Sequence, residues 1–350
     1  MADDLKVLQE RVAEAAGRKQ PLRIRGGGTK DFYGRTSAGD LLDTRGYSGI
    51  VDYEPTELVV TVRCGTSLAE LERVLAERGQ MLAFEPPHFG DATIGGAIAT
   101  GLSGPRRATS GAARDFMLGV RVIDGRGQDL SFGGRVMKNV AGYDVSRLMV
   151  GSLGTLALIS EMSLKVLPLP FATLTLVREA SEADAIRMMN EWGGKPLPIS
   201  ATCFVDGKLF VRLSGAAPAL KAAQGQLGGE ILENDSILWQ SIREQAHAFF
   251  SKPGDLWRLS VPSATPVLGL GPALIEWGGA QRWVLTNGDG SKVREAAVKA
   301  RGHATVFRPR GTREDVFTPL KPAIAKIHRN LKQQFDPHGI FNPGRMYADL

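Results

Sequence analysis

Between Arg25 and Lys30 the chain reads RGGGTK: three glycines, then a hydroxyl and an ammonium. Backbone without Cβ atoms can bring successive N–H groups against an anion, and Thr29 and Lys30 would add two further donors. A mobile turn would have the same composition. A second stretch, residues 92–114, holds no carboxylate in 23 residues but carries Arg106, Arg107 and Arg114. Its glycines at 95, 96, 101, 104 and 111 again allow close approach of main chain to a ligand. Two such segments together could clasp a diphosphate through backbone nests. The competing reading is a packed corner where strands meet with no room for Cβ atoms.

Other chemistries find no support. The chain has no G-x-G-x-x-G, no Walker A spacing, no H-E-x-x-H and no G-x-S-x-G. Its five histidines (88, 247, 303, 328 and 338) make no i, i+4 pair. The two cysteines, Cys64 and Cys203, stand far apart and outside any C-x-x-C. They are expected to be buried thiols, and no metal site is expected. Lysine and arginine exceed aspartate and glutamate by only six, without a dense basic stripe, so nucleic acid is not an expected partner. The amino-terminal MADDLKVLQE is acidic and helical in pattern rather than a secretory signal, and no apolar run approaches the ~20 residues of a membrane span. The expected location is the cytoplasm, with any inner-membrane contact made through a partner.

The elements that would position these segments alternate between strand and helix. Leu5, Val7, Leu8 and Val12 have helical spacing up to Gly17, after which LRIR reads as a strand leading into the glycines. ELVVTVRC (57–64) is a strand, and Ser67 with Glu70 forms a capping box for a helix closed by Gly79. Residues 91–111 look too glycine-rich for a regular element. LGVRVID, a DG turn and LSF make a hairpin. After the prolines at 168 and 170 the order β-α-β-β-α-β predicts a ferredoxin-like arrangement, and a strand–helix–strand recurs in RWVLT, SKVREAAVKA and ATVFR. The cap strands look few, so a reduced substrate domain is expected. A helix around 319–335 precedes the tail FDPHGIFNPGRMY.

GGGTK, PPHFGDATIGGAIATGLSG, GYDVSRLMVGSLGTLALISEMSLKV and FNPGRM, in this order, resemble the FAD-binding fold of the vanillyl-alcohol-oxidase family, PCMH type. Within it, VMKNVAGYDVSRLMVGSLGTLA is similar to the FAD-carrying subunits of bacterial glycolate-oxidising complexes. The resemblance covers roughly residues 20–170 and the tail 335–347. It implies an α+β protein: a two-subdomain FAD-binding domain (1–170), a smaller ferredoxin-like α/β cap (171–310), and a helix and tail (311–350) returning to the FAD domain. It implies that Arg25, Gly26, Gly27, Gly28, Thr29 and Lys30 supply donors to the FAD diphosphate. Pro87, Asp91, Ala92, Thr93, Gly95 and Gly96 would line the cofactor, and Thr100, Gly101, Leu102 and Ser103 would continue that wall. Ser152, Gly154, Thr155 and Ile159 would meet it through backbone, and Asn342 would sit near the flavin ring.

The departures from the family pattern carry information too. The first loop has no histidine, so the resemblance implies non-covalent FAD; His88 is the sole nearby candidate for a covalent link. Leu153 stands where 2-hydroxy-acid dehydrogenases of this kind carry glutamate. Their GEHGIG-like histidine motif is missing between 171 and 310, which removes the usual general base for a hydroxyl proton. Tyr143, Lys138 and Arg310 remain as weak catalytic candidates, with Asn139 beside the first two, and Lys326 as a carboxylate-holding alternative. The implied function is the FAD-binding subunit of a glycolate oxidase complex, carrying electrons from the oxidation of glycolate to glyoxylate. A second FAD subunit and an iron–sulfur subunit are the implied partners, since this chain has no cysteine cluster. The rivals are a self-sufficient 2-hydroxy-acid dehydrogenase and a non-catalytic assembly subunit.

Overall fold

A computed structural model describes residues 2–134, 144–288, 290–311 and 314–350. The amphipathic α1 (Ala2–Arg18) buries Leu5, Leu8, Val12 and Ala15 along one face. β1 (Leu22–Arg25) and β2 (Asp40–Asp43) follow and pair in parallel. Next come β3 (Ile50–Glu54), β4 (Val59–Arg63) and α2 (Leu68–Ala76), whose first turn is capped by the Ser67 hydroxyl accepting the Glu70 N–H. β5 (Gln80–Met81) leads to the glycine-rich segment, which contains α3 (Ile94–Thr100) and the single turn α4 (Arg107–Ser110). The hairpin β6 (Met117–Ile123) and β7 (Asp129–Gly133), α5 (Val145–Met149), β8 (Leu158–Lys165) and β9 (Leu167–Pro168) complete this part. Its main sheet is antiparallel, in the order β3-β4-β8-β6-β7.

Segment 91–111 is therefore not without regular structure, as its glycine content had suggested. Helix α3 forms because Thr93 caps it and Gly101, at φ +62°, closes it in the left-handed region. Its glycines cost propensity but permit packing: a Cβ on Gly95 would lie 2.7 Å from both Cβ and the carbonyl oxygen of Cys64. Tertiary contact overrides local preference here.

The rest of the chain builds one eight-stranded sheet. β10 (Ala172–Glu179), α6 (Glu182–Gly193), β11 (Ile199–Val205), β12 (Lys208–Gly215), α7 (Ala217–Leu227) and β13 (Glu230–Ile231) give the order β13-β10-β12-β11, the expected ferredoxin-like arrangement. α8 (Asp235–Arg243) leads to β14 (Asp255–Ser260), β15 (Ala273–Glu276), β16 (Gln281–Thr286), α9 (Ser291–Lys299) and β17 (His303–Arg308), which pair as β15-β16-β14-β17. The second order mirrors the first, and the halves join where Cys203 opposes Glu276 and Phe204 opposes Ile275. The cap strands are thus many, not few. The second half escapes a reading from sequence because residues 261–272 run irregularly where the first half has α6. α10 (Pro322–Phe335) and the tail return to β1.

Three apolar cores result. One lies around the antiparallel sheet with α1, α2 and α3, and one lies under α6, α7 and α9 of the cap. The third joins the two parts, with Tyr33, Leu102 and Leu153 packed among Phe210, Trp283 and Phe307. Trp192, Trp239, Trp257 and Trp283 are buried, and Cys64 and Cys203 are buried free thiols, Cys64 pushed up to about 12 by burial. No helix among the described residues is long and apolar enough to cross a membrane.

Candidate functional site

β1 carries the chain straight into the loop Gly26–Lys30, and the tail holds β1 from its other side. Leu22 pairs in parallel with Phe341, the Leu22 N–H donates to the Ile340 carbonyl at 2.7 Å, and the Asn342 N–H donates back to Leu22 at 2.9 Å. The Asn342 side chain then accepts the Ile24 N–H at 2.9 Å and donates to the Leu153 carbonyl at 2.7 Å. Three segments distant in sequence meet here around a cavity of about 180 Å³.

The glycines of the loop have distinct jobs. A Cβ on Gly26 would overlap the Thr93 hydroxyl, and one on Gly27 the Asp91 carbonyl oxygen. Gly28 lies at φ +72°, where a side chain would also meet the Arg25 guanidinium. Packing of one glycine-rich segment on the other is therefore real, and the anion reading stands beside it. Among the described residues no acceptor takes the N–H groups of Gly26, Gly27, Gly28, Thr29 or Lys30. Five successive donors at the edge of a cavity form a nest suited to an anion.

Charge in the wall agrees. Arg23, Arg25, Lys30 and Arg345 line the cavity against one carboxylate, Asp31. Arg25 Nε donates to Asp31 at 2.7 Å, fixing the loop. Lys30 is buried, its ammonium donating to the His88 carbonyl at 3.2 Å and lying 5.5 Å from the centre of the Phe89 ring. Burial lowers its pKa to about 8, against the pull of Glu244. Arg345, held down from its ordinary value by burial, donates to the carbonyls of Arg35 and Asp31. Leu153 at φ +54° and Asn342 at φ +41° both lie in the wall in a region that costs about 1–3 kcal/mol each. Their mutual hydrogen bond holds them there.

The predicted cofactor residues do not all reach one place. Arg25, Gly26, Gly27, Gly28, Thr29, Lys30, Thr93, Gly96, Thr100 and Asn342 line this one cavity. Asp91 and Ala92 pack against the loop from behind, and Gly95 lies under Cys64. Gly101 supports the turn at Gly151, where a Cβ would come within 3.0 Å. Gly154, at φ +67°, makes room for the Asn342 amide. Pro87, Leu102 and Ser103 line a separate cleft facing the cap, Ser152 and Thr155 a third cavity beside α10, and Ile159 is core. Arg310 is exposed at the end of β17, donating to Asn287 at 3.2 Å, and Lys326 is exposed on α10; neither reaches the cavity. Lys138, Asn139 and Tyr143 lie outside the described residues. His88 is engaged by Glu72 at 2.9 Å.

Sequence reading missed Arg23, Thr36, Ser37 and Arg345 in the wall. The period-two alternation of LRIR places Arg23 and Arg25 on one face and could have found the first. Arg345 sits inside the FNPGRM motif; nothing local marks Thr36 or Ser37.

The cap presses on the second glycine segment through polar contacts. Glu85 takes Arg212 of β12 at 2.8 Å and Arg106 at 3.3 Å, a buried cluster whose two guanidinium groups hold the carboxyl below its usual range despite burial. Glu244 accepts the N–H groups of His88 and Phe89 at 3.1 and 2.8 Å, and the Trp277 indole donates to the Gly104 carbonyl. Between them Glu276 is fully buried, accepting Trp283 Nε1 at 2.7 Å and Gln281 Nε2 at 3.0 Å, and burial raises its carboxyl to about 7. The cleft there, lined by Leu102, Arg258, Glu276 and Trp283, measures about 20 Å³. That is room for one water.

Comparison with known proteins fits this geometry. A family described as FAD binding domain matches residues 1–133. The glycolate oxidase subunit GlcE of Escherichia coli (strain K12) is 50% identical, over 99% of both chains. The D-lactate dehydrogenase of Archaeoglobus fulgidus is 31% identical, over 94% of this chain and 86% of its own length. The glycolate oxidase subunit GlcD of Bacillus subtilis (strain 168) is 32% identical over 47% of this chain and 36% of its own. A solved structure of alkyldihydroxyacetonephosphate synthase shares the fold with a TM-score of 0.67 at 15% identity, over 96% of this chain and 75% of that one.

Proposed function

The chain belongs to the GlcE family of glycolate oxidase subunits, and from that premise we propose that it is the FAD-carrying subunit of a glycolate-oxidising complex. The observation that carries the reading is the cavity at β1, lined by a loop whose five N–H groups take no acceptor among the described residues and by four cations and one carboxylate. The chemistry of that donor set fits the FAD diphosphate. Gly26 to Lys30 would hold it, Thr93 and Asn342 would fix the loop, and no group in the loop offers a covalent bond, so the cofactor is held non-covalently. Bound FAD supplies a two-electron carrier. The proposed division at about residues 170 and 310 then separates the cofactor-holding part, the cap and the returning tail.

The cleft of about 20 Å³ between cap and glycine segment has no room for a hydroxy acid. Its carboxyl, Glu276, is already engaged by two donors. Substrate oxidation is therefore assigned to another flavoprotein subunit, with an iron–sulfur subunit as a further partner, and this chain passes electrons between them. A second reading, a self-sufficient dehydrogenase, draws on the similarity to the Archaeoglobus D-lactate dehydrogenase along most of the chain.

The test is the visible spectrum of the chain purified alone, followed by acid treatment and by anaerobic addition of glycolate. The expected protein is yellow, releases its flavin into acid and is not bleached by glycolate unless the other subunits are added. Bleaching of the isolated chain would establish the second reading. A colourless chain that gains no flavin from added FAD would leave an assembly role.

A further inference from the structure

Helix α10 is fourteen residues long, yet Lys332 is its one buried side chain. Lys332 is spent on architecture, donating to the Thr155 and Phe341 carbonyls and to Asp336 at 2.7 to 2.8 Å. Ile324, Ile327, His328 and Leu331 recur at helical spacing and share one face. Ile324 and Ile327 are 44% and 52% exposed. His328 and Leu331 continue that face into a cavity of about 140 Å³, whose other walls include Leu148, Val150, Leu156 and Met346. A dry apolar cavity of about 150 Å³ suffices for a benzene-sized group.

Two features point to what belongs there. Ser152 lines the cavity, is 5% exposed, and its hydroxyl has no partner among the described residues. Unpartnered buried hydroxyls are costly, so an acceptor brought by an occupant would complete it. Residues 316–335 hold no aspartate or glutamate, while Lys321 and Lys326 are exposed around the isoleucines; Arg329 beside them is paired with Asp349 at 2.9 Å. The ridge is cationic with an apolar crest. A bilayer rewards a broad apolar stripe, whereas two isoleucines beside a walled recess suit one inserted side chain.

We propose that this ridge and recess form the surface by which the chain docks onto another protein subunit of the oxidase, one that inserts an apolar side chain of leucine or phenylalanine size, with a main-chain carbonyl to accept the Ser152 hydroxyl, between acidic flanks. The proposal rests on the subunit reading above. Docking there would bring the partner against the segment Ser152–Thr155, whose Leu153 is in the wall of the cofactor cavity. Electrons leaving that cavity would then have a short path across the interface.

The experiment co-expresses the full chain with the remaining oxidase subunits and compares wild type, Ile324→Asp/Ile327→Asp and Lys321→Glu/Lys326→Glu by affinity capture and size exclusion. The expected result is at least tenfold less co-elution for the aspartate pair and a smaller, salt-dependent loss for the charge reversal, with flavin content per chain unchanged in both. Co-elution equal to wild type in both variants would overturn the docking face while leaving the subunit reading intact. So would a wild-type chain that self-associates through α10, seen as a dimer by light scattering that the aspartate pair breaks. Loss of binding to phosphatidylglycerol vesicles with the complex intact would reassign the ridge to a membrane and overturn it as well. Wild type that co-elutes with no other subunit overturns both readings together.

Discussion

The side-chain oxygen of Asn342 accepts the N–H of Ile24 at 2.9 Å, joining the carboxy-terminal tail to the strand that enters the glycine loop 318 residues earlier. The same amide donates to Leu153, so one buried side chain closes a triangle of three segments around the cavity. The geometry makes the tail part of the cavity wall rather than an appendage to it.

Replacing Asn342 with leucine should therefore remove flavin before it removes the fold. Each unsatisfied buried group costs about 1–3 kcal/mol, and the apolar side chain adds no acceptor for Ile24. The expected outcome is a chain with normal circular dichroism, a lowered melting temperature and flavin content reduced severalfold. Full flavin occupancy in Asn342→Leu would show that the tail does not organise the cavity.

Gly27 permits a comparison that separates packing from flexibility. An alanine Cβ there would overlap the Asp91 carbonyl, whereas at Gly17 in α1 nothing lies within 4 Å. Gly27→Ala should push the two glycine segments apart and weaken FAD binding at least tenfold. Gly17→Ala should leave binding alone and add a few tenths of a kcal/mol to about 1 kcal/mol of stability through helix propensity. Isothermal titration with FAD after removal of the flavin reads both, and equal affinities would deny the loop its role.

Those glycines were legible because their chemistry is local: a run without Cβ atoms after a strand is visible in the sequence itself. Asn342 was legible only through its motif, since its partners lie far away in the chain. The second half of the cap was hidden for a different reason. Residues 261–272 replace a helix with irregular chain, so the ferredoxin-like count fails although the strand order is kept. Glu276 was hidden because its partner Gln281 stands opposite it only through the register of β15 and β16, and Trp283 reaches it from two residues further on. Helix α3 is invisible to propensity because the packing of Gly95 on Cys64 stabilises it from a distance.

Lys30 should make cofactor binding pH-dependent. Burial sets its pKa at about 8 in the free protein, and a bound diphosphate would raise that value by favouring the ammonium. The bound state then holds more protons above pH 8, so affinity falls as pH rises from about 8 towards 10, by at most about tenfold per unit for one proton. Quenching of flavin fluorescence on titration with flavin-free protein measures this. Lys30→Met should bind more weakly and show no such slope; a slope that survives the substitution assigns it to another group.

Glu276 gives the opposite sign, on stability instead of binding. Its carboxyl is raised from 4.5 to about 7, first by burial, with Trp283 and Gln281 pulling partly the other way. The folded chain thus holds a proton between about 4.5 and 7 that the unfolded chain has released. The contribution of this group to stability is full below about 4.5 and is lost as pH rises through 7. Trp283 and Gln281 donate to the same oxygen, so Glu276→Gln keeps the acceptor for both and cannot ionise. Relative to wild type it should gain up to about 3 kcal/mol of stability on going from pH 4.5 to pH 8, the value of ~2.5 pK units at 1.36 kcal/mol each. Melting temperatures of both proteins at the two pH values check this. If the difference between variant and wild type does not change with pH, the carboxyl is ionised throughout, and Arg258 in the same cleft becomes the cation that compensates it.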